Sequence, residues 1–310
     1  MKLSIVTTMY HSAPYINEFY ARICAAAGQI TNNYEIIFVN DGSLDDSLEI
    51  AASLYEKDPK VRVIDLSRNF GHHEAIMTGL GYSEGDLIFL IDCDLEEEPE
   101  LLCKFYNEFN KSNADVVYGV QEKRKGSFWE KNSGSLFYLL FNKISDYKIT
   151  ANQLTARLMC RKYVRSLLLY NKESGLFLAG LMRITGYCQK AIPIEKLSKA
   201  SSIYSMRKKI ALLMSSITSF TAYPLKLIFY VGVFISSVSF LFALYLILRK
   251  LIYDNVSMGW SSLMVSLWFI GGVLMMFMGI IGVYLAKIYI QVKRRPITIV
   301  KNIYERNYKK

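Results

Sequence analysis

The chain has 310 residues, of which 52% are hydrophobic and 21% charged, and its formal net charge is +10. This length allows two domains, or one domain with membrane segments. Basic residues cluster beside apolar segments, as in Arg207-Lys208-Lys209 and Lys293-Arg294-Arg295, which favours an anionic membrane surface over nucleic acid. The sequence has no zinc-finger spacing and no RNA-binding aromatic signature, so we expect no nucleic-acid partner.

The N-terminal half alternates between segments typical of strands and segments typical of helices. Strands are predicted at Leu3–Thr7, Glu35–Val39, Val61–Leu66, Asp86–Ile91 and Val116–Val120, and helices at Tyr15–Ala27, Asp45–Lys57 and Glu74–Tyr82. This alternation predicts an α/β fold with a mostly parallel sheet covered on both faces. The five cysteines are odd in number and form no CxxC pair, and the first apolar run is too short and polar for a secretory signal. We therefore expect reduced thiols in the cytosol.

Polar residues follow three of the predicted strands. They are Asp41-Gly42-Ser43, Arg68-Asn69-Phe70-Gly71-His72-His73 and Asp92-Cys93-Asp94. The carboxyl ends of parallel strands share one edge, where ligands bind, and carboxylates suit Mg²⁺ or Mn²⁺ shared with substrate phosphates. An Asp-x-Asp alone is more often a solvated turn or a helix cap. Three polar strand ends together favour a ligand site.

Two long apolar runs, Leu225–Leu248 and Leu263–Ala286, dominate the C-terminal half. Each spans about 36 Å as a helix, enough to cross a bilayer, although two buried core helices are the alternative. The short linker predicts a hairpin with both chain ends on one side. The tail from Lys287 to Lys310 has eight Lys/Arg and one Glu, whereas the linker contributes Arg249 and Lys250. This bias predicts that both termini are cytoplasmic.

Apolar residues at helical spacing precede the first run, with basic residues at the start of the segment. They are Ile210, Leu213, Met214, Ile217 and Phe220. This pattern predicts a juxtamembrane amphipathic helix at 206–224 that lies on the membrane and is ended by Pro224. The alternative is an ordinary helix packed on the soluble domain. A second interfacial helix is predicted at Phe128–Ile144, and apolar juxtamembrane helices are compatible with a homo-oligomer.

The order and spacing of four motifs resemble family 2 glycosyltransferases with a GT-A fold. The motifs are Val-Thr-Thr-Met-Tyr at 6–10, Val-Asn-Asp-Gly-Ser at 39–43, Ser-Arg-Asn-Phe-Gly-His-His-Glu-Ala at 67–75, and Ile-Asp-Cys-Asp-Leu-Glu-Glu-Glu-Pro-Glu at 91–100. The chain is most similar to bacterial polyprenyl-phosphate glycosyltransferases related to dolichyl-phosphate mannose synthase, which have two C-terminal spans. Ser202-Ile203-Tyr204, Ile217-Thr218-Ser219-Phe220, the run at 282–289 and Arg295-Pro296 continue the match.

The resemblance implies a Rossmann-like catalytic domain at 1–205, the juxtamembrane helix at 206–224, membrane helices at 225–248 and 263–286, and a basic cytoplasmic tail at 287–310. It implies inverting hexosyl transfer from a nucleotide-sugar donor to polyprenyl phosphate at the cytoplasmic face of the cell membrane. The lipid-linked sugar would then serve modification of cell-surface glycan such as O-antigen.

The resemblance also implies roles for individual residues. Asp92 and Asp94 would be catalytic, with Asp94 as the first ligand of Mg²⁺ or Mn²⁺, Asp92 sharing the ion or binding the donor ribose, and Glu96 a further ligand. Such an ion neutralises the diphosphate leaving group. Asp41 and Arg68 would bind the donor nucleoside. His72 and His73 are predicted to be turn or donor-site residues.

The acceptor is a phosphate monoester that is largely ionised near neutral pH, because its second pKa is about 6. It can therefore attack without a strong general base. Lys123, Arg124 and Lys125 follow the predicted strand at 116–120 and are candidates to bind the acceptor phosphate. A solvated charge run is the alternative interpretation of these three residues.

The chain departs from the family pattern at five positions. Glu96 replaces a usual Gln, Thr155 an Asp, Ala179 and Gln121 an Arg, and Ile203 a Lys. These positions surround the predicted acceptor and sugar pockets and leave the identity of the sugar open. Two alternative functions follow: a glycan-extending membrane glycosyltransferase, and a non-catalytic membrane scaffold derived from such an enzyme. The chain lacks the Gln-x-x-Arg-Trp motif of processive synthases.

Overall fold

The computed structural model describes residues 1–121, 152–171, 178–194, 223–253 and 259–306. The strands in these residues are β1 (Leu3–Met9), β2 (Tyr34–Asn40), β3 (Val61–Leu66), β4 (Leu87–Leu90), β5 (Val116–Gln121), β6 (Gln153–Cys160), β7 (Gln189–Ile194) and β8 (Val300–Tyr304). The helices are α1 (Ile16–Gly28), α2 (Ser47–Lys57), α3 (His72–Tyr82), α4 (Leu101–Lys111), α5 (Arg161–Leu167), α6 (Leu178–Ile184), α7 (Tyr223–Tyr253) and α8 (Trp260–Val292), and a 3₁₀ turn follows α5 at Leu168–Tyr170.

The strands form one mixed sheet in the order β7-β5-β6-β4-β1-β2-β3-β8. β1 pairs in parallel with β2 and β4, β2 pairs in parallel with β3, and β5 pairs in parallel with β7. β6 is antiparallel to β4 and β5, and β8 is antiparallel to β3. The prediction of an α/β, GT-A-type fold with a mostly parallel sheet is confirmed.

Helices cover both faces of the sheet, which explains why its central strands are buried throughout. Every residue of β1 is buried, as expected where neither face of a strand meets water. On one face, α1, α2 and α4 pack around Phe19, Phe38, Phe89 and Phe105. On the other, α3, α5 and α6 pack around Tyr163 and its apolar neighbours. The two layers hold the strand ends in fixed relative positions.

The end of the chain returns to the sheet, which the sequence analysis did not predict. Residues 300–304 belong to the predicted basic tail, yet they form edge strand β8 along β3. Ile303 pairs with Ile64, and the ring of Tyr304 meets that of Tyr55 edge to face at 6.2 Å. Arg62 forms an ion pair with Glu305. The apolar residues Ile303 and Tyr304 therefore hold this basic segment on the sheet.

Helices α7 and α8 contain the two predicted membrane runs. Their windows Tyr223–Phe242 and Ser266–Val292 are long and apolar enough to cross a membrane, and neither window is buried within the protein. Large apolar side chains such as Phe234, Trp268 and Met278 are exposed along them. The alternative of two buried core helices is wrong, because the protein core covers neither window. Both helices are candidate membrane spans.

Pro224 is the second residue of α7. This first-turn position suits proline, because the first amide groups of a helix have no intrahelical acceptor. The remainder of the predicted juxtamembrane helix at 206–222, and the predicted interfacial helix at 128–144, lie outside the described residues.

Candidate active site

The three polar motifs of the sequence analysis meet at one edge of the sheet. They follow β2, β3 and β4, whose carboxyl ends point the same way as that of β1. Asp41 after β2 contacts the backbone of Phe70 and Gly71 after β3. His72, the first residue of α3, reaches both Thr8 of β1 and Asp92 after β4. The expected convergence of these strand ends is therefore present in the structure.

Asp41 fastens the loop after β3 to the turn after β2. It is 3% exposed, and it accepts hydrogen bonds from the backbone amides of Phe70 at 2.7 Å and Gly71 at 3.1 Å. Burial raises the pKa of the Asp41 carboxyl, and the two backbone hydrogen bonds oppose the shift. The structure thus holds this carboxylate in place with the protein's own amide groups.

Gly42 allows the close approach of these two loops. Its φ is +63°, and a Cβ there would lie 2.4 Å from the backbone carbon of Arg68 and the backbone nitrogen of Asn69. A side chain at this position would displace one loop from the other. Glycine is therefore required by both conformation and space.

Asp45 organises the far side of the same turn. It accepts hydrogen bonds from the hydroxyls of Ser43 at 2.5 Å and Ser47 at 2.6 Å and from the Ala13 amide at 3.1 Å. Partial burial acts to raise the pKa of Asp45, but these hydrogen bonds lower it to about 2. Asp45 is therefore ionised at neutral pH and holds the turn after β2 against the start of α1.

Arg68 lies exposed beside this turn. Its guanidinium stacks on the ring of Phe70 at 4.0 Å and donates a hydrogen bond to the Asn69 carbonyl at 2.8 Å. Such stacking limits the freedom of a long side chain while its remaining N–H groups stay in solvent. Arg68 can thus meet an anionic ligand at this edge.

Asp92 and Asp94 flank a buried cysteine. Cys93 faces inward, where its thiol donates to the Thr8 carbonyl at 3.0 Å, so the two aspartates alternate with it and are both part-exposed. Asp94 accepts a hydrogen bond from the Glu96 amide at 2.9 Å, and Leu95 between them has a φ of +60°. This tight backbone turn sets the position of the second carboxylate.

One oxygen of Asp92 is buried without a hydrogen bond in the part of the chain that the structure describes. This atom, Oδ1, lies 3.5 Å from Nε2 of His72. The other ring nitrogen of His72 is 3.2 Å from the Thr8 hydroxyl. A buried carboxylate oxygen left in this state is costly unless a ligand or cation satisfies it.

The residues present fit a hard divalent cation. Mg²⁺ in proteins usually takes one or two carboxylates and completes its coordination with waters and substrate phosphates, which matches an orphaned Asp92 oxygen beside Asp94. No group of three or more His, Cys, Asp or Glu side chains gathers among residues 1–121 and the later described segments. Glu96 is thus not brought into a three-residue ligand group with the two aspartates.

The sequence analysis missed two buried residues that help to position the acid pair, Asp92 and Asp94. Glu97 is buried and accepts the backbone amides of Thr155 at 3.0 Å and Ala156 at 2.6 Å. Arg157 is buried on β6 opposite Leu90 of β4 and donates to the carbonyl of Leu154 at 2.8 Å. Together they fix the start of β6 beside the strand that carries Asp92.

Burial lowers the pKa of the Arg157 guanidinium, and the nearby Tyr163, Glu97 and Asp92 side chains oppose that shift. Arginine stays protonated in proteins, so a positive charge lies within the sheet near the acid pair. An arginine in the otherwise apolar run Ala156-Arg157-Leu158-Met159 was a signal in the sequence. Glu97 had none, because it is one of three consecutive glutamates.

The remaining predicted residues divide into two groups. Thr155 lies on β6. Gln121 is the last residue of β5, and its backbone amide donates a hydrogen bond to the Asn152 carbonyl at 3.0 Å. Ala179 is part of α6. Lys123, Arg124, Lys125 and Ile203 lie outside the described residues. The predicted acceptor site therefore stays a prediction.

The model of the family "Glycosyl transferase family 2" matches residues 4–168, which is more than half of the chain. The chain belongs to glycosyl transferase family 2. The matched residues include β1 from its second residue, β2 to β6, and every side chain described above at the acid pair and on β6. The sheet edge therefore belongs to the family 2 glycosyltransferase domain.

Relatives match over nearly the whole chain. A predicted glycosyltransferase of Mycobacterium tuberculosis is 47% identical over 98% of this chain and 89% of its own length. The uncharacterized glycosyltransferase YkcC of Bacillus subtilis is 37% identical over 98% and 94%. The SfII prophage-derived bactoprenol glucosyl transferase of Shigella flexneri is 32% identical over 99% and 100%. The family relationship therefore includes the two apolar helices.

A solved structure of glucosyl-3-phosphoglycerate synthase from Mycobacterium tuberculosis, in complex with Mn²⁺, uridine diphosphate and glucosyl-3-phosphoglycerate, is 16% identical to this chain. The match covers 70% of this chain and 77% of that one, with a TM-score of 0.48. With so low an identity and TM-score, this structural similarity does not support a conclusion about function.

Proposed function

We propose that this protein transfers a sugar from a nucleotide-sugar donor to polyprenyl phosphate, with inversion at the anomeric carbon. The observation that carries the proposal is the buried, unbonded Asp92 oxygen beside Asp94, on the same sheet edge as Asp41. The full-length similarity to a bactoprenol glucosyl transferase and the two apolar helices support a lipid acceptor.

Asp41 and Arg68 would bind the nucleoside part of the donor. A carboxylate has about four lone-pair sites, and hydrogen bonds from two backbone amides leave Asp41 capacity for a donor group. Arg68 offers guanidinium N–H groups at the exposed rim of the same loop. In this arrangement the protein's own hydrogen bonds position Asp41 before the donor arrives, so little reorganisation is needed on binding.

Asp92 and Asp94 would hold Mg²⁺ or Mn²⁺, which when bound offsets the charge that develops on the leaving diphosphate. His72 lies between Thr8 and Asp92 and would keep the Asp92 carboxylate in position. An oxygen of the ionised acceptor phosphate attacks the anomeric carbon as the bond from that carbon to the diphosphate oxygen breaks. Attack from the opposite face gives inversion, and the products are a sugar phosphoryl-lipid and a nucleoside diphosphate.

The path of the chain supports placing this edge at the cytoplasmic membrane surface. β8 is antiparallel to β3, so its first residue, Val300, lies beside Leu66 at the carboxyl end of β3. Val292, the last residue of α8, precedes Val300 by only eight positions. The donor-site loop that begins at Ser67 is therefore tied through a short connection to a membrane-crossing helix. Cytoplasmic termini follow from the basic tail.

The proposal is tested with purified full-length protein in nanodiscs, undecaprenyl phosphate, Mn²⁺ and a panel of nucleotide-sugars, with mass spectrometry of the lipid products. We expect one donor to give a lipid-linked sugar and Asp94→Asn to abolish its formation. Folded protein that converts no donor on the panel would contradict the proposal.

The second candidate function is a non-catalytic membrane scaffold. Thr155 favours it, because the enzymes that this chain resembles usually have an Asp at that position. Isothermal titration separates the two functions. A scaffold would bind neither Mn²⁺ nor a nucleoside diphosphate, and Asp94→Asn would change nothing.

A further inference from the structure

A cavity opens between α3 and the segment that follows α8. Its volume is about 910 Å³. Met77, Thr78 and Tyr82 of α3 line one wall, and Arg294, Arg295 and Thr298 are among the residues that line the other. None of Asp41, Arg68, Asp92 or Asp94 lines it. The cavity is thus separate from the site described above, although α3 itself begins at that site.

The cavity lies where the membrane helix ends. Val292 is the last residue of α8 and of its membrane-crossing window, and Val292 itself lines the cavity. The following segment is fixed to the catalytic domain by a hydrogen bond between the hydroxyls of Thr78 and Thr298 at 2.9 Å, and by the Ser67 amide, which donates to the Ile299 carbonyl at 2.9 Å. The cavity therefore lies between the end of the apolar window of α8 and the catalytic domain.

The lining combines two cations with polar and apolar groups. Arg294 and Arg295 are exposed, and no described carboxylate lies within ion-pair distance of either. Among the described residues that line the cavity, Glu74 alone is acidic. Met77 and Ile297 add apolar surface. A lining of guanidinium, hydroxyl and apolar groups matches a phosphate that carries a hydrocarbon chain.

Lys293, the basic residue before the two arginines, has a different environment. Lys293 does not line the cavity, and its ammonium lies over the ring of Tyr289 on α8 at 4.1 Å from the ring centre. Three consecutive basic residues thus divide into one that turns back along the helix and two that border the cavity. A general attraction to an anionic membrane would involve all three equally, whereas a defined site would depend on the two arginines.

We propose that this cavity binds the phosphate headgroup of a membrane lipid. The inference rests on the membrane attachment proposed above. Two lipids share the required chemistry: the polyprenyl phosphate acceptor and an anionic phospholipid of the bilayer. An occupant of either kind would pack against α3, whose first residue, His72, contacts Asp92, so the cavity borders the element that supports the acid pair.

The test measures binding rather than turnover, so that its failure can be told from failure of the proposed activity. Full-length protein is purified in detergent and titrated by native mass spectrometry with undecaprenyl phosphate, with dioleoyl phosphatidylglycerol and with dioleoyl phosphatidylcholine. The variants are Arg294→Gln with Arg295→Gln, and Lys293→Gln as the matched control. We expect the double variant to weaken binding of an anionic lipid roughly thirtyfold, the change that two basic residues near an anionic surface give.

The control should stay within about twofold of the wild type, since Lys293 does not line the cavity and its ammonium lies over the Tyr289 ring. Loss confined to undecaprenyl phosphate assigns the acceptor to the site, and loss confined to phosphatidylglycerol assigns a bilayer lipid. A loss of about fivefold in Lys293→Gln, which a general attraction gives for each basic residue, or no loss in the double variant, would overturn the proposal.

A measurement on the wild-type protein tests the proposal even if a variant fails to fold. Hydrogen–deuterium exchange is followed with and without undecaprenyl phosphate or phosphatidylglycerol. Binding at the cavity predicts slower amide exchange in residues 291–300 and in the second half of α3. Unchanged exchange in both segments at saturating lipid would contradict the proposed site.

Discussion

The loop around Asp41 and the turn around Asp92 lie on the same sheet edge, but they satisfy their carboxylates in opposite ways. Asp41 is held by the amides of Phe70 and Gly71, and Asp45 by two serine hydroxyls and an amide. Asp92 keeps a buried oxygen that accepts no hydrogen bond among the described residues. The first region pairs its carboxylates with groups of the protein, whereas the second leaves an Asp92 oxygen for the proposed cation.

This difference separates stability from activity. A substitution in the Asp41 region should unfold or loosen the edge, because protein groups there depend on one another. A substitution in the Asp92 region should leave the fold intact and remove function, since the proposed partner of the Asp92 oxygen is a bound cation. The predictions below test that separation, beginning with the largest expected effect.

Asp94→Asn should reduce kcat/KM for sugar transfer about a thousandfold or more, because it removes one of two charges available to a divalent ion beside the diphosphate. The side-chain amide keeps an oxygen for the Glu96 amide, so the Tm should stay within about 2 °C of the wild type. Activity assays and thermal unfolding check both parts.

Asp46→Asn is the matched control, because Asp46 is exposed at the start of α2 and makes no side-chain capping bond. Its activity should be unchanged. If Asp94→Asn unfolded the protein, the turn around the acid pair would be a structural element like the Asp41 region, and the contrast would fail.

Gly42→Ala should destabilise the fold by about 2 to 4 kcal/mol, because the new Cβ would overlap the backbone of Arg68 and Asn69 at a positive φ. Urea unfolding monitored by circular dichroism measures the change. Gly28→Ala is the control, since a Cβ at that exposed end of α1 meets nothing within 4 Å and should be neutral or slightly stabilising. A Gly42→Ala protein as stable as the control would show that the two loops are not interlocked.

The sequence predicted the Asp41 region and the acid pair for the same reason. Both follow strongly apolar strands whose carboxyl ends must share an edge once the sheet is parallel, so Asp41, Arg68, Asp92 and Asp94 could be placed together without coordinates. Their detailed states could not be predicted, because the hydrogen bonds of Asp41 come from backbone amides twenty-nine and thirty residues away.

Antiparallel strands were harder to predict from the sequence. β6 contains Arg157 within its apolar run and lies between β4 and β5. β8 is a five-residue segment that includes an exposed lysine and an exposed asparagine. Pairing with β3 and the packing of Tyr304 on Tyr55 stabilise β8, and these are long-range contacts that local pattern does not encode. The predicted membrane helices, by contrast, depend on local composition alone.

Glu97→Gln tests whether the Glu97 carboxylate holds the start of β6 in place near the acid pair. Each carboxylate oxygen accepts one backbone amide, from Thr155 and from Ala156, and a side-chain amide would set an N–H donor against one of them. We expect a loss of about 1 to 3 kcal/mol in the free energy of unfolding. The same change at its exposed neighbour, Glu98→Gln, should stay within about 0.5 kcal/mol. Equal stabilities for the two variants in urea unfolding would show that Glu97 does not hold β6.

The smallest expected effect is the pH dependence of the Asp41 region, through Asp45. Its pKa is lowered from an ordinary 3.8 to about 2 in the folded protein, so the folded state binds the proton less tightly than the unfolded state does. The stability that ionised Asp45 contributes is therefore fully present above about pH 4 and is lost as the pH falls towards 2. Wild type and Asp45→Asn should differ in unfolding free energy by a constant amount at neutral pH, and the two should converge between pH 4 and 2. A difference that persisted unchanged to pH 2 would mean that the hydroxyls of Ser43 and Ser47 stabilise the turn without preferring the ionised carboxylate, and that this half of the edge is less complete than its geometry indicates.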